Sequence, residues 1–126
     1  MKITSMTSDG MTFDDGSKLT DYHQQDCCEN VYADWDGMKA YPLGCTEYNY
    51  LNLEDLDFFE DILSSIVPIP DLGFYIVTKQ GICLMVSCYD EQNGYYSSDL
   101  FLHHVKDENT VKELDISDYV KADYGY

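Results

Sequence analysis

Three short polar stretches ending in glycine set the strongest limit on how this chain can fold. Asp14-Asp15-Gly16, Lys79-Gln80-Gly81 and Glu91-Gln92-Asn93-Gly94 each lie between runs rich in β-branched and aromatic residues. Glycine, Asn and Asp tolerate the positive φ of tight hairpins, so each stretch reads as a reversal between antiparallel strands. The flanking runs are Met11 to Phe13 and Ser17 to Tyr22, then Gly73 to Thr78 and Ile82 to Tyr89, then Tyr95 to Val105. The last three read as a meander. Lys2 to Thr7 can begin a strand, and Cys27 to Trp35 reads as extended. Gly37 to Tyr50, with Pro42 and two glycines, reads as loop.

One stretch carries helical spacing. From Leu53 to Ile66, the residues Leu56, Phe58, Phe59, Ile62, Leu63 and Ile66 fall on one arc at 100° per residue. Asn52 stands where a cap is needed, and Pro68 and Pro70 end the stretch. The expected fold class is therefore α+β: an antiparallel sheet packed against one main amphipathic helix. With 126 residues the chain fits one domain over 1–126, with an acidic tail from about Asp107 and a short strand near Val111 to Ile116.

Charge decides the kind of partner. Acidic residues number 24 against 7 basic ones, a net charge of −17, and every basic residue is lysine. Phosphates would meet repulsion, and no arginine is present to grip them, so direct nucleic-acid binding is disfavoured. A basic protein surface is favoured, with salt-sensitive association. The candidate contacts are Glu54, Asp57, Glu60 and Asp61 on the expected helix, and Asp107, Glu108, Glu113, Asp115 and Asp118 in the tail. No run reaches membrane-spanning length and no signal-peptide pattern opens the chain, so cytosolic residence with reduced thiols is expected.

Metal and thiol chemistry concentrate in Tyr22 to Tyr32. In an extended chain His23 and Cys27 share a face, and such N and S ligands suit zinc. A structural zinc at His23 and Cys27, with Cys28 able to join at a kink, is the expectation; Cys45, Cys83, Cys88, His103 and His104 are further ligand candidates. Cys83 and Cys88 lie in an apolar strand, where inert packing is the usual fate of a thiol. A reactive thiolate at Cys27 or Cys28 is disfavoured by Asp26 and Glu29 beside it. No phosphate loop, G-x-S-x-G or H-E-x-x-H motif is present, so no enzyme activity is expected.

Two motifs carry a resemblance. The run from Tyr22-His23 through Asp26-Cys27-Cys28-Glu29 to Val31-Tyr32, followed by Asn93-Gly94-Tyr95-Tyr96-Ser97, resembles a family of small acidic phage and prophage proteins. The chain is similar to the anti-CRISPR class, inhibitors of Cas9-type nucleases. What that resemblance implies is an inhibitor that docks on the basic channel of a Cas9-type effector and blocks DNA loading. The alternatives are an acidic phage accessory protein with another partner, and a metal or thiol enzyme.

Overall fold

The computed structural model describes residues 1–23, 31–42, 53–90, 99–107 and 110–122, with backbone alone for 39–42, 110 and 121–122. These residues form eleven strands in two sheets. The first sheet is antiparallel throughout, in the order β1 (Ile3–Thr7), β2 (Gly10–Phe13), β3 (Lys18–Tyr22), β9 (Phe101–Asp107), β10 (Thr110–Asp115). The second is centred on β8 (Ile82–Asp90), with β7 (Gly73–Val77) and then β6 (Ile66–Ile69) following from it. Against β8 also lie β4 (Val31–Ala33), β5 (Lys39–Pro42) and, in parallel, β11 (Lys121–Ala122).

Two of the expected turns form as read. Phe13 N–H donates to the Ser17 carbonyl at 2.9 Å, and Gly16 turns the chain at φ 85°. Gly81, at φ 77°, donates to the Thr78 carbonyl at 3.0 Å and reverses β7 into β8. The third, Glu91 to Gly94, lies outside the described residues.

Alternation along the strands sends one face of each sheet into a shared core. Ile3, Met11, Phe13, Leu19 and Leu102 enter from the first sheet; Phe74, Ile76, Leu84, Val86 and Cys88 enter from the second. Trp35 is fully buried and meets the Phe74 ring edge-on at 5.7 Å, while Phe13 meets Phe58 at 5.2 Å.

The α+β expectation is corrected: the fold is mostly antiparallel β-sheet, and no main helix exists among the described residues. Between Leu53 and Ile66 only two 3-10 turns form, η2 (Leu53–Asp55) and η3 (Ile62–Ser65). A helix here would stack Glu54 on Asp57 and Asp57 on Glu60 and Asp61, and like charges three and four apart repel. Instead Leu56 and Phe58 are buried two residues apart while Phe59 is 40% exposed, the period of extended chain. The backbone finds partners elsewhere. Phe58 N–H donates to the Met1 carbonyl at 2.7 Å, and Lys79 N–H donates to the Asp57 carbonyl at 2.8 Å.

Two further readings change. The three downstream strands are not a meander, because β9 leaves β8 and pairs with β3 and β10 in the other sheet. Lys39 to Pro42, read as loop, is β5. The chain from β4 to β5 runs along β8, and between Ala33↔Cys88 and Lys39↔Met85 it spends six steps against three. The excess is taken up by a 3-10 turn, η1 (Trp35–Gly37), which sinks Trp35 into the core.

Candidate functional site

The outer face of β3, β9 and β10 gathers groups able to bind a partner. Register sets Tyr22 beside Phe101 and Phe101 beside Asp115; the next rung is Thr20, His103, Glu113, and the next Lys18, Val105, Val111. Leu19, Leu102 and His104 point the other way, into the protein. The Tyr22 ring stacks on His103 with centroids 5.2 Å apart and planes 12° from parallel. His103 Nε2–H donates to Glu113 Oε2 at 2.7 Å, which fixes the imidazole between the phenol and the carboxylate. Asp115 accepts from Ser117 N–H at 2.9 Å and from its hydroxyl at 2.6 Å. Those bonds hold its carboxyl below the usual range, so it stays anionic. Tyr22 is 49% exposed and Val111 51%, two of the four large hydrophobic residues exposed among the described residues.

Residues 24–30 and 91–98, which carry most of the two sequence motifs, lie outside the described residues. At their described flanks, Tyr22 ends β3 and His23 follows it, Val31 pairs with Asp90 at the end of β8, and Asp99 leads into β9. His23 Nδ1–H donates to the Asp99 carbonyl at 2.6 Å, and the Tyr32 and Tyr89 rings lie 5.7 Å apart. Asp21 ties the two sheets: one oxygen accepts from Ala33 N–H and the other from the Trp35 indole N–H, both at 2.9 Å.

For the expected metal ligands, His23 is held as a ligating histidine would be, with Nδ1 bonded to a carbonyl. Cys27, Cys28 and Cys45 lie outside the described residues, and no trio of His, Cys, Asp or Glu among the described residues could hold a metal. Cys83 and Cys88 are buried, and burial pushes both thiols up, away from reactivity.

The candidate partner-binding acids divide by environment. Asp57 Oδ1 accepts from the Met1 ammonium at 2.8 Å, which lowers its carboxyl below the usual range, so its role is structural. Glu60 meets Lys79 at 3.5 Å and Asp61 meets Lys112 at 3.9 Å, both on exposed ground. The Asp61–Lys112 contact brings the two expected groups of acids, 54–61 and the tail, together at β10. Glu54, Asp107, Glu113, Asp115 and Asp118 are exposed, and Glu108 lies outside the described residues.

Sequence reasoning missed Asp21 and the opposite settings of two adjacent histidines. His103 and His104 both stand as ligand candidates by sequence, yet strand alternation sends His103 to the surface and His104 inside. The His104 ring is fully buried, and among the described residues neither nitrogen has a hydrogen-bond partner. Burial holds its pKa below the ordinary histidine value. Asp21 acts across the two sheets on Ala33 and Trp35, and Glu113, already a contact candidate, meets His103 through strand register.

A family described as "Domain of unknown function (DUF7448)" matches residues 1–102, and the chain belongs to it. The match runs from β1 to the second residue of β9, so β10 and β11 lie beyond it. No curated protein and no solved structure matches the chain.

Proposed function

We propose that this member of the family is a binding protein that engages a basic, nucleic-acid-handling protein and occupies the surface nucleic acid would use. The observation that carries this reading is charge: −17 over 126 residues without one arginine. Exposed carboxylates at Glu54, Glu60, Asp61, Glu113, Asp115 and Asp118 present that charge to solvent. Such a surface raises the encounter rate with a cationic partner and repels nucleic acid itself. The resemblance to phage-encoded inhibitors makes a Cas9-type effector the leading candidate partner. The test is an order-of-addition nuclease assay. Protein added before DNA loading should inhibit more than protein added after it, and equal inhibition in either order would reject DNA exclusion.

A structural zinc at His23, Cys27 and Cys28 is a second reading, compatible with the first and favoured by the fixed Nδ1 of His23. Protein prepared without tag or chelator should carry close to one zinc, lost in Cys27→Ala with a lower Tm. Zinc below about a tenth of an equivalent removes this reading.

A further inference from the structure

We propose that the outer face of β3, β9 and β10 is the docking surface, and that it takes an arginine-bearing protein surface. This rests on the basic-partner reading above and names where and how that partner binds.

Three features of the face select this occupant. First, aromatic planes lie open beside carboxylates. Tyr22 is half exposed, with one ring face stacked on His103. A guanidinium is planar and stacks on such a ring, whereas an ammonium is a compact, strongly hydrated point charge. Second, the anions are held in place. Glu113 is oriented by His103, and Asp115 by Ser117, so little side-chain freedom remains to be lost on binding. Asp115 is two strands from Tyr22 on the same rung, with Phe101 between, an arrangement that pairs a stacking plate with a fork acceptor. Third, apolar and charged groups are interleaved across the face. Tyr22, Phe101, Val105 and Val111 cross the face, with Glu113 and Asp115 along β10 and Lys18 on the rung farthest from Tyr22. Aromatic residues set beside carboxylates suit a planar cationic side chain.

The test is nuclear magnetic resonance of the ¹⁵N-labelled full chain titrated with a nona-arginine peptide at about 150 mM salt. Amide shifts should centre on Thr20, Tyr22, Phe101, His103 and Glu113. Tyr22→Ser and Glu113→Gln should each weaken binding by about tenfold. Tyr22→Phe, which keeps the ring, and Asp36→Lys, on the exposed turn η1, should leave it within about twofold. A nona-lysine peptide should bind more weakly than nona-arginine. Shifts spread evenly over acidic positions such as Asp9 and Asp36, with Tyr22→Ser unchanged, would reject this face and leave the basic-partner reading standing. Absence of any shift would overturn both. Equal affinity for the two peptides would overturn the selection of arginine.

Discussion

At the residue scale, His104 is the group with the clearest unmet chemistry. It sits on the inner face of β9, with Leu19 on one flanking strand and Lys112 on the other. Four charged groups act on it: Asp15 from the β2–β3 turn and Asp61 ahead of η3 favour its protonation, while Lys106 and Lys112 oppose it. Burial outweighs them and keeps the ring neutral. Unfolded, the same ring titrates near its ordinary value of about 6.5. Between that value and the lower folded one, the unfolded chain binds more protons. The contribution of His104 to stability is therefore complete above about pH 6.5 and is lost as pH falls toward the folded pKa. His104→Leu removes two unsatisfied nitrogens, so the variant should be more stable than the parent by about 1–2 kcal/mol at pH 7. That advantage should widen as pH falls to about 5.5, by no more than one proton's worth, about 1.4 kcal/mol per pH unit. Denaturant midpoints of both proteins across this range measure it, and parallel pH profiles would show that His104 is not the group responsible.

At the scale of elements, two joints hold the sheets in place. Asp21 leaves β3 in the first sheet and accepts two hydrogen bonds from the second, at Ala33 and Trp35. Asp21→Ala strands both donors and should cost about 2–4 kcal/mol by chemical denaturation, with Asp21→Asn intermediate. A loss under about 0.5 kcal/mol would mean that water replaces the carboxylate. Gly73 opens β7 at φ 148°, and a Cβ there would collide with the Val86 carbonyl and lie 2.9 Å from Cys88 N. Gly73→Ala should therefore lower stability by about 2 kcal/mol or more. These joints also show what was legible beforehand. The turns at Gly16 and Gly81 were, because Asp-Gly and Gln-Gly between alternating runs encode a local reversal. The segment 53–66 misled, because its apolar arc suited a helix while its like charges at three and four spacing did not. The Leu56 and Phe58 pair, two apart, held the extended answer. The crossing of β9 into the first sheet was not legible, since pairing Thr20 with His103 spans most of the chain and leaves no local mark. The candidate face was half legible: Tyr22 and His23 stand out as a motif and Glu113 and Asp115 as exposed acids, while the pairing of Glu113 with His103 depends on register alone.

Across the whole molecule, the charge of −17 acts on folding and on binding in opposite directions, and salt separates the two. The folded chain crowds its carboxylates, and the unfolded chain spreads them, so self-repulsion opposes the native state. Among the described residues, Met1, Lys79 and Lys112 relieve part of it through Asp57, Glu60 and Asp61. Raising salt from about 20 to 200 mM shortens the screening length from roughly 20 Å to 7 Å. Self-repulsion then weakens, and the Tm should rise by several degrees, on the order of 1 kcal/mol. The same screening removes the steering toward a cationic partner, so association should slow by about tenfold or more while dissociation changes little. Charge reversal of Glu54, Glu60 and Asp61 should mimic that kinetic effect at low salt. Asp57 is excluded from such a variant because its carboxylate holds Met1, and its loss would confound binding with folding. Thermal melts and stopped-flow association over one salt series read both quantities on the same protein. A Tm that falls with salt would show that ion pairs, not self-repulsion, dominate the native surface. An association rate indifferent to salt would show that the acidic surface does not steer the partner.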